Sequence, residues 1–127
     1  MSARGRQQGQ LEQAVLEVLW QARAAGEGKL TSQQVLDRLG DSEQLALTTV
    51  LTVLSRLGDK DLVLREQGTG RSLLFSSATT KEEHDAAALL RLFESSSNPA
   101  LAFSHFAKQL SAKDLELLQK SFNDSGK

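Results

Sequence analysis

At 127 residues the chain has room for one small domain with an appended helical segment and a modest core. It has no cysteine, which excludes a disulfide framework, a thiolate metal site and a cysteine nucleophile. Fifteen Lys and Arg against sixteen Asp and Glu leave a formal charge of -1, which excludes a uniformly basic nucleic-acid binder.

Residues 1–9 are polar, contain Arg4 and Arg6, and are expected to form a flexible arm. The start MSARGRQQGQ lacks the apolar segment of a signal peptide, and no apolar run approaches the roughly 20 residues of a membrane span. A cytoplasmic protein without membrane insertion is expected. Leu11, Val15, Val18, Leu19 and Ala22 mark an amphipathic first helix ending near Gly26 and Gly28. Leu16 and Trp20 lie off that stripe and widen it, so Trp20 reads as a core or interface residue. Lys29 and Leu30 fit a one-bridge strand. Thr31 or Ser32 then caps a second helix carrying Val35, Leu36 and Leu39, which Gly40 stops.

The segment DSEQLAL turns into a third helix, whose faces follow from an advance of about 100° per residue. Val50, Val53, Leu54 and Leu57 fall within one arc of roughly 100°, the width of a core-facing stripe. The opposite arc carries Thr48, Thr52 and Ser55, with Thr49 and Arg56 on one flank and Leu51 on the other. Solvated helix faces usually carry Lys and Glu, which favour helix and water together. A β-branched hydroxyl face has lower helix propensity and suits another task. Thr and Ser hydrogen-bond base edges or phosphates, and a Thr or Leu methyl can lie against a thymine methyl in the major groove.

Two short apolar strands follow, LREQ and RSLLFSS, joined through Gly68, Thr69 and Gly70 as a β-hairpin. Helix, short strand, helix, turn, helix and hairpin is the order of a winged helix-turn-helix, here spanning residues 10–76. Arg56, Lys60, Arg65 and Arg71 all fall on the third helix or its hairpin, whereas Asp37, Asp41 and Glu43 precede that helix. Such a local basic strip can bind phosphate in a neutral chain, because screening limits distant charges to about 10 Å at moderate salt. Weak affinity for nonspecific DNA is expected.

Residues 77–127 read as a helical dimerisation domain. Thr80 or its neighbour caps a helix with Lys81, Glu82, Glu83 and Asp85 in its first turns, mostly acidic as the helix dipole favours. Ala86, Leu89, Leu90 and Phe93 form its stripe. A Ser-Ser-Ser-Asn-Pro break ends it, with Asn98 as cap and Pro99 opening the next helix, which carries Ala102, Phe103, Phe106 and Leu110. Ser111 and Asp114 resemble a capping box for a last helix bearing Leu115, Leu118 and Phe122. Helices this short are marginal alone, and four of the chain's five Phe sit on them. A second copy is the natural partner, through Leu89, Leu90, Phe93, Phe103, Phe106, Leu110, Leu115, Leu118 and Phe122. The competing arrangement is a monomer with the tail folded over Trp20 and the first helix. The expected whole is mainly α with a small β-hairpin.

The segments GQLEQAVLEVLW, LTSQQVLDRL, LALTTVLTVLSRLGDKDLV and GRSLLFSS resemble the penicillinase-repressor family of bacterial regulators, the BlaI, MecI and CopY type, and actinobacterial members most closely. The resemblance spans nearly the whole chain, and TTVLTVLSRL is its most specific part. It implies a homodimeric winged-helix repressor of inverted-repeat operators in double-stranded DNA. By position, Thr48, Thr49 and Thr52 would approach bases or adjoining phosphates. Arg56, Lys60, Arg65 and Arg71 would contact the backbone. Leu51 departs from members with a basic residue there, so a different preferred sequence is expected. The resemblance also implies relief of repression by C-terminal cleavage, in a pathway linking a membrane sensor to a protease. The bond would fall at His105 and Phe106, where His replaces the usual Asn. Copper-responsive relatives use cysteines, which this chain lacks.

No cofactor, metal or catalytic group is expected. His84 and His105 are separated by a helix break and lack a third ligand nearby, and the glycines of the hairpin turn do not precede a helix. The sequence is also compatible with two alternatives: a winged-helix protein-interaction module, and a ligand-sensing regulator with a pocket between its two domains.

Overall fold

A computed structural model describes residues 8–40 and 45–125. In chain order the elements are α1 (Gln8–Ala24), α2 (Ser32–Leu39), α3 (Leu47–Asp59), β1 (Val63–Gln67), β2 (Leu73–Ser77), α4 (Lys81–Glu94), α5 (Pro99–Gln109) and α6 (Ala112–Ser125). The fold is mainly α with one antiparallel hairpin, pairing Val63 with Ser77 and Arg65 with Phe75. Arg4, Arg6, Asp41 and Glu43 lie outside the described residues. Helix α1 starts two residues inside the stretch expected as an arm.

The chain divides into two compact units, one ending at His84 and the other beginning at Asp85. The sequence places this boundary at residue 76, where the hairpin ends. The first turn of α4 belongs to the first compact unit because it meets α1: the His84 ring lies 4.9 Å from that of Trp20, and Lys81 Nζ sits 5.5 Å from the indole centre.

In the first unit α1 is the central rod, packed against α2, α3 and β2. That environment explains why Leu16 and Trp20, off the main stripe, are as buried as Val15 and Leu19. A helix with neighbours on several sides needs apolar residues on several sides. Val35 from α2, Val50, Val53, Leu54 and Leu57 from α3, and Val63 and Phe75 from the hairpin complete the core. Each such burial contributes about 1.5–3 kcal/mol.

Local chemistry sets the connections. Thr31 closes a full capping box on α2: its Oγ1 accepts from Gln34 N–H at 3.1 Å, and Gln34 Oε1 accepts from Thr31 N–H at 2.8 Å. Leu30, just before it, forms the expected one-bridge strand with Phe75, donating to its carbonyl at 2.9 Å and accepting from its N–H at 2.7 Å. After α3 the chain reverses through Asp61 at φ 63°, with Leu62 N–H bonded to Leu57 O at 2.9 Å. Asp is among the few non-glycine residues that tolerate this left-handed conformation. At Gly68 in the hairpin turn a Cβ would come within 2.7 Å of Ser72 Oγ, so a larger residue there would displace that hydroxyl from its bond to Thr69 O.

In the second unit, Asn98 Oδ1 caps α5 from Leu101 N–H at 3.1 Å, and Ser111 Oγ caps α6 from Asp114 N–H at 3.1 Å. Phe93 of α4 stacks on Phe103 of α5, centroids 4.1 Å apart, and meets Phe106 edge-on at 5.5 Å. None of the described side chains from 85 to 124 is buried. Leu89, Leu90, Leu92, Leu101, Leu115, Leu117, Leu118 and Phe122 are all exposed, Phe122 to 66%. Helix α4 itself is capped by Thr80, whose N–H and hydroxyl both hydrogen-bond Glu83 Oε1. These bonds hold the Glu83 carboxyl below its ordinary value. A lowered carboxyl pKa means that the cap stabilises the fold above the usual Glu range and is lost as pH falls through the lowered value.

Candidate nucleic-acid interface

Helix α3 is split as its sequence requires. Val50, Val53, Leu54 and Leu57 are buried, whereas Thr48, Thr49, Leu51, Thr52, Ser55 and Arg56 are exposed. The Thr52 hydroxyl donates to Thr48 O at 2.9 Å, so its proton is spent within the helix and its methyl and lone pairs remain outward. Ala46, at the N-cap, offers no side-chain acceptor to the first turn.

Beside α3 the hairpin forms a wing. A cleft of about 550 Å³ separates them, with Leu51, Ser55 and Asp59 on the helix side and Val63, Arg65 and Phe75 on the hairpin side. Arg65 stands on β1 and Arg71 in the exposed turn. Among the described residues Arg56, Arg65 and Arg71 make no ion pair, and Glu66 beside Arg65 is neutralised by Lys29 at 2.7 Å. The wing thus presents cations whose neighbouring acid is already paired.

Lys60 differs from the other three cations expected to meet a backbone. Its Nζ lies 2.7 Å from Glu12 Oε1 on α1, and the Glu12 side chain is only 11% exposed. Lys60 therefore ties the end of α3 to α1, and a phosphate would have to compete with a largely desolvated carboxylate. Sequence reasoning missed Glu12. The signal was there: Glu12 stands one turn before Val15 and Leu16, inside the apolar arc of α1, where a charge needs a partner.

Asp59 was also missed, and it faces the cleft opposite Arg65. A carboxylate at the C-terminal end of a helix opposes the helix dipole and repels phosphate. Asp59→Asn is expected to strengthen binding to any duplex by about three-fold at low salt, an effect fading as salt screens it. Fluorescence anisotropy at two ionic strengths checks this, and an unchanged affinity at low salt contradicts it.

The histidines do not form a site. His84 packs against Trp20, while His105 is exposed on α5 in the other unit. Among the described residues no three His, Asp or Glu side chains are grouped to hold a metal, and no helix is long and apolar enough to cross a membrane. A second cavity, about 420 Å³, opens between α1 and the start of α4 beside Trp20, Arg23 and Lys81, entirely within the first unit.

Three core helices, an outward uncharged face on the third and an arginine-bearing hairpin beside it define a winged-helix protein. The chain belongs to the penicillinase repressor family, whose model matches residues 8–124. It is 32% identical over 116 residues to the transcriptional regulator BlaI of Mycobacterium tuberculosis, in strains CDC 1551 and H37Rv alike, covering 89% of this chain and 80% of that protein. By this membership it is a transcriptional regulator. Among solved structures, the zinc-responsive MarR family member ZitR of Lactococcus lactis superposes with a TM-score of 0.42 at 13% identity, covering 99% of this chain and 77% of ZitR. A ZitR variant in apo form gives 0.42 at 16% identity, covering 93% and 83%.

Proposed function

We propose that the protein is a homodimeric, sequence-specific DNA-binding repressor, acting in the cytoplasm on inverted-repeat operators. The observation that carries this reading is the pairing of the uncharged hydroxyl and methyl face of α3 with a wing whose Arg65 and Arg71 have no acidic partner among the described residues. Base readers and phosphate anchors are separate groups on adjacent elements, as DNA recognition requires. The near-neutral chain favours low affinity for nonspecific DNA, so two copies must act together. The exposed apolar residues of α4, α5 and α6 supply a surface for that pairing.

Division of labour between helix and wing is testable with two variants. Thr52→Ala is expected to reduce discrimination between a duplex selected from a randomised pool and a scrambled one by about three- to ten-fold. Arg71→Ala should weaken both duplexes equally and lower the slope of log affinity against log salt by about one. Titrations over a salt series read both quantities. The reverse pattern would exchange the roles of helix and wing, and a flat salt dependence would favour a protein-interaction module.

Release by cleavage is part of the same reading. The His105–Phe106 bond lies inside α5, so a protease needs that helix to open locally, and a cut would part Phe106 from the rest of the helix that pairs with Phe93. Loss of the link between two readers would lower operator affinity by about 10²–10⁴. Immunoblots through induction check this: fragments should accompany derepression, and a chain left intact while its targets rise contradicts the route.

A further inference from the structure

Helix α3 carries two outward leucines that the winged core does not use. Leu47 and Leu51 stand one turn apart and are 36% and 38% exposed. A single exposed leucine needs no explanation. These two occupy the first two turns of the helix, the part of a recognition helix that reaches base edges. Thr48 and Thr52 lie beside them, and the Thr52 hydroxyl proton is held by Thr48 O, leaving its methyl outward.

From residue 47 to 55 the helix has no Arg, Lys, Asn or Gln. Those are the side chains that grip guanine or adenine with paired hydrogen bonds in the major groove. What the surface offers instead is a cluster of methyl groups. The one base-pair feature in the major groove that an aliphatic group recognises is the 5-methyl of thymine. Leu51 borders the cleft toward Arg65, so a strand whose phosphates lie along the wing would carry its bases past this side chain.

We propose that Leu51, supported by Leu47, is a specificity-determining residue that reads a thymine methyl in each operator half-site. The inference rests on the DNA-binding reading above and adds to it the group recognised and the side chain responsible. Discrimination here comes from apolar contact rather than from a hydrogen bond.

The test uses a duplex that the protein itself selects from a randomised pool, with each thymine replaced in turn by deoxyuridine. This replacement keeps the pairing with adenine and removes only the methyl. Burying one methyl group corresponds to about a four-fold change in affinity. Substitution at one symmetry-related pair of positions is therefore expected to weaken binding about 16-fold, with little effect elsewhere. Leu51→Ala should bind the thymine duplex correspondingly more weakly and lose its sensitivity to deoxyuridine at that pair alone. The scan on the unaltered protein stands whether or not the variant folds. If no thymine responds, or Leu51→Ala keeps the same sensitivity, the methyl-reading role is overturned while DNA binding stands. If no duplex is enriched, and a partner protein is instead captured through Leu47 and Leu51, the DNA reading falls with it.

Discussion

A chain carrying Phe103→Asp is expected to sediment as a monomer at micromolar concentration and to bind a two-half-site operator about 10²–10⁴-fold more weakly. Phe103 stacks on Phe93 yet remains 48% exposed, which leaves part of its ring available to a second copy. Helices of 11–14 residues with no buried side chain among those described would gain stability if a second copy covered them. A carboxylate placed in that surface must be desolvated for the dimer to form, which opposes association. Affinity for a single half-site should change little, because the winged unit carries its own core. Sedimentation equilibrium and binding to one- and two-half-site duplexes separate these effects. A variant that still dimerises would remove Phe103 from the interface.

Phe75→Ala is expected to cost about 3–5 kcal/mol of stability, a large share of what a small domain has. Phe75 is buried, exchanges both backbone hydrogen bonds with Leu30, and pairs in register with Arg65. Its side chain thus joins the wing to the core at the point where a wing cation is positioned. On the same hairpin Leu64 is 56% exposed, and Leu64→Ala should fall within about 0.5 kcal/mol of the unaltered chain. Urea unfolding of both variants checks the contrast: the midpoint should fall by at least about 1 M for Phe75→Ala and scarcely move for Leu64→Ala. Equal losses would mean that the wing is not anchored through Phe75.

The features legible in the sequence are those fixed within one or two helical turns. Periodicity alone assigns Val50, Val53, Leu54 and Leu57 to the core and Thr48, Thr52 and Ser55 to the surface, as found. Capping chemistry places Thr31, Asn98 and Ser111 correctly because each bond spans three residues. A one-bridge strand at Leu30 beside the hairpin is also readable from the winged order, and the structure supplies its partner, Phe75.

What escaped reading depends on distant parts of the chain meeting. Nothing local to Lys60, which follows α3, reveals its partner Glu12, 48 residues away. The contact between Trp20 and His84 is likewise not a local signal. In the second unit the stripes pointed to one apolar face per helix, whereas Leu92, Leu101 and Leu117 are exposed as well. A stripe describes the face a helix must cover, but not whether anything in its own chain covers it.

Footprinting on the DNA upstream of the protein's own coding sequence distinguishes a paired reader of inverted repeats from a single reader or none. A dimeric repressor should give two protected patches related by two-fold symmetry, their centres separated by one helical turn or a multiple of it, about 10–10.5 base pairs each. Both patches should be lost together in Phe103→Asp. Protection of a single asymmetric patch, or none on any duplex at concentrations where the chain is dimeric, would contradict it.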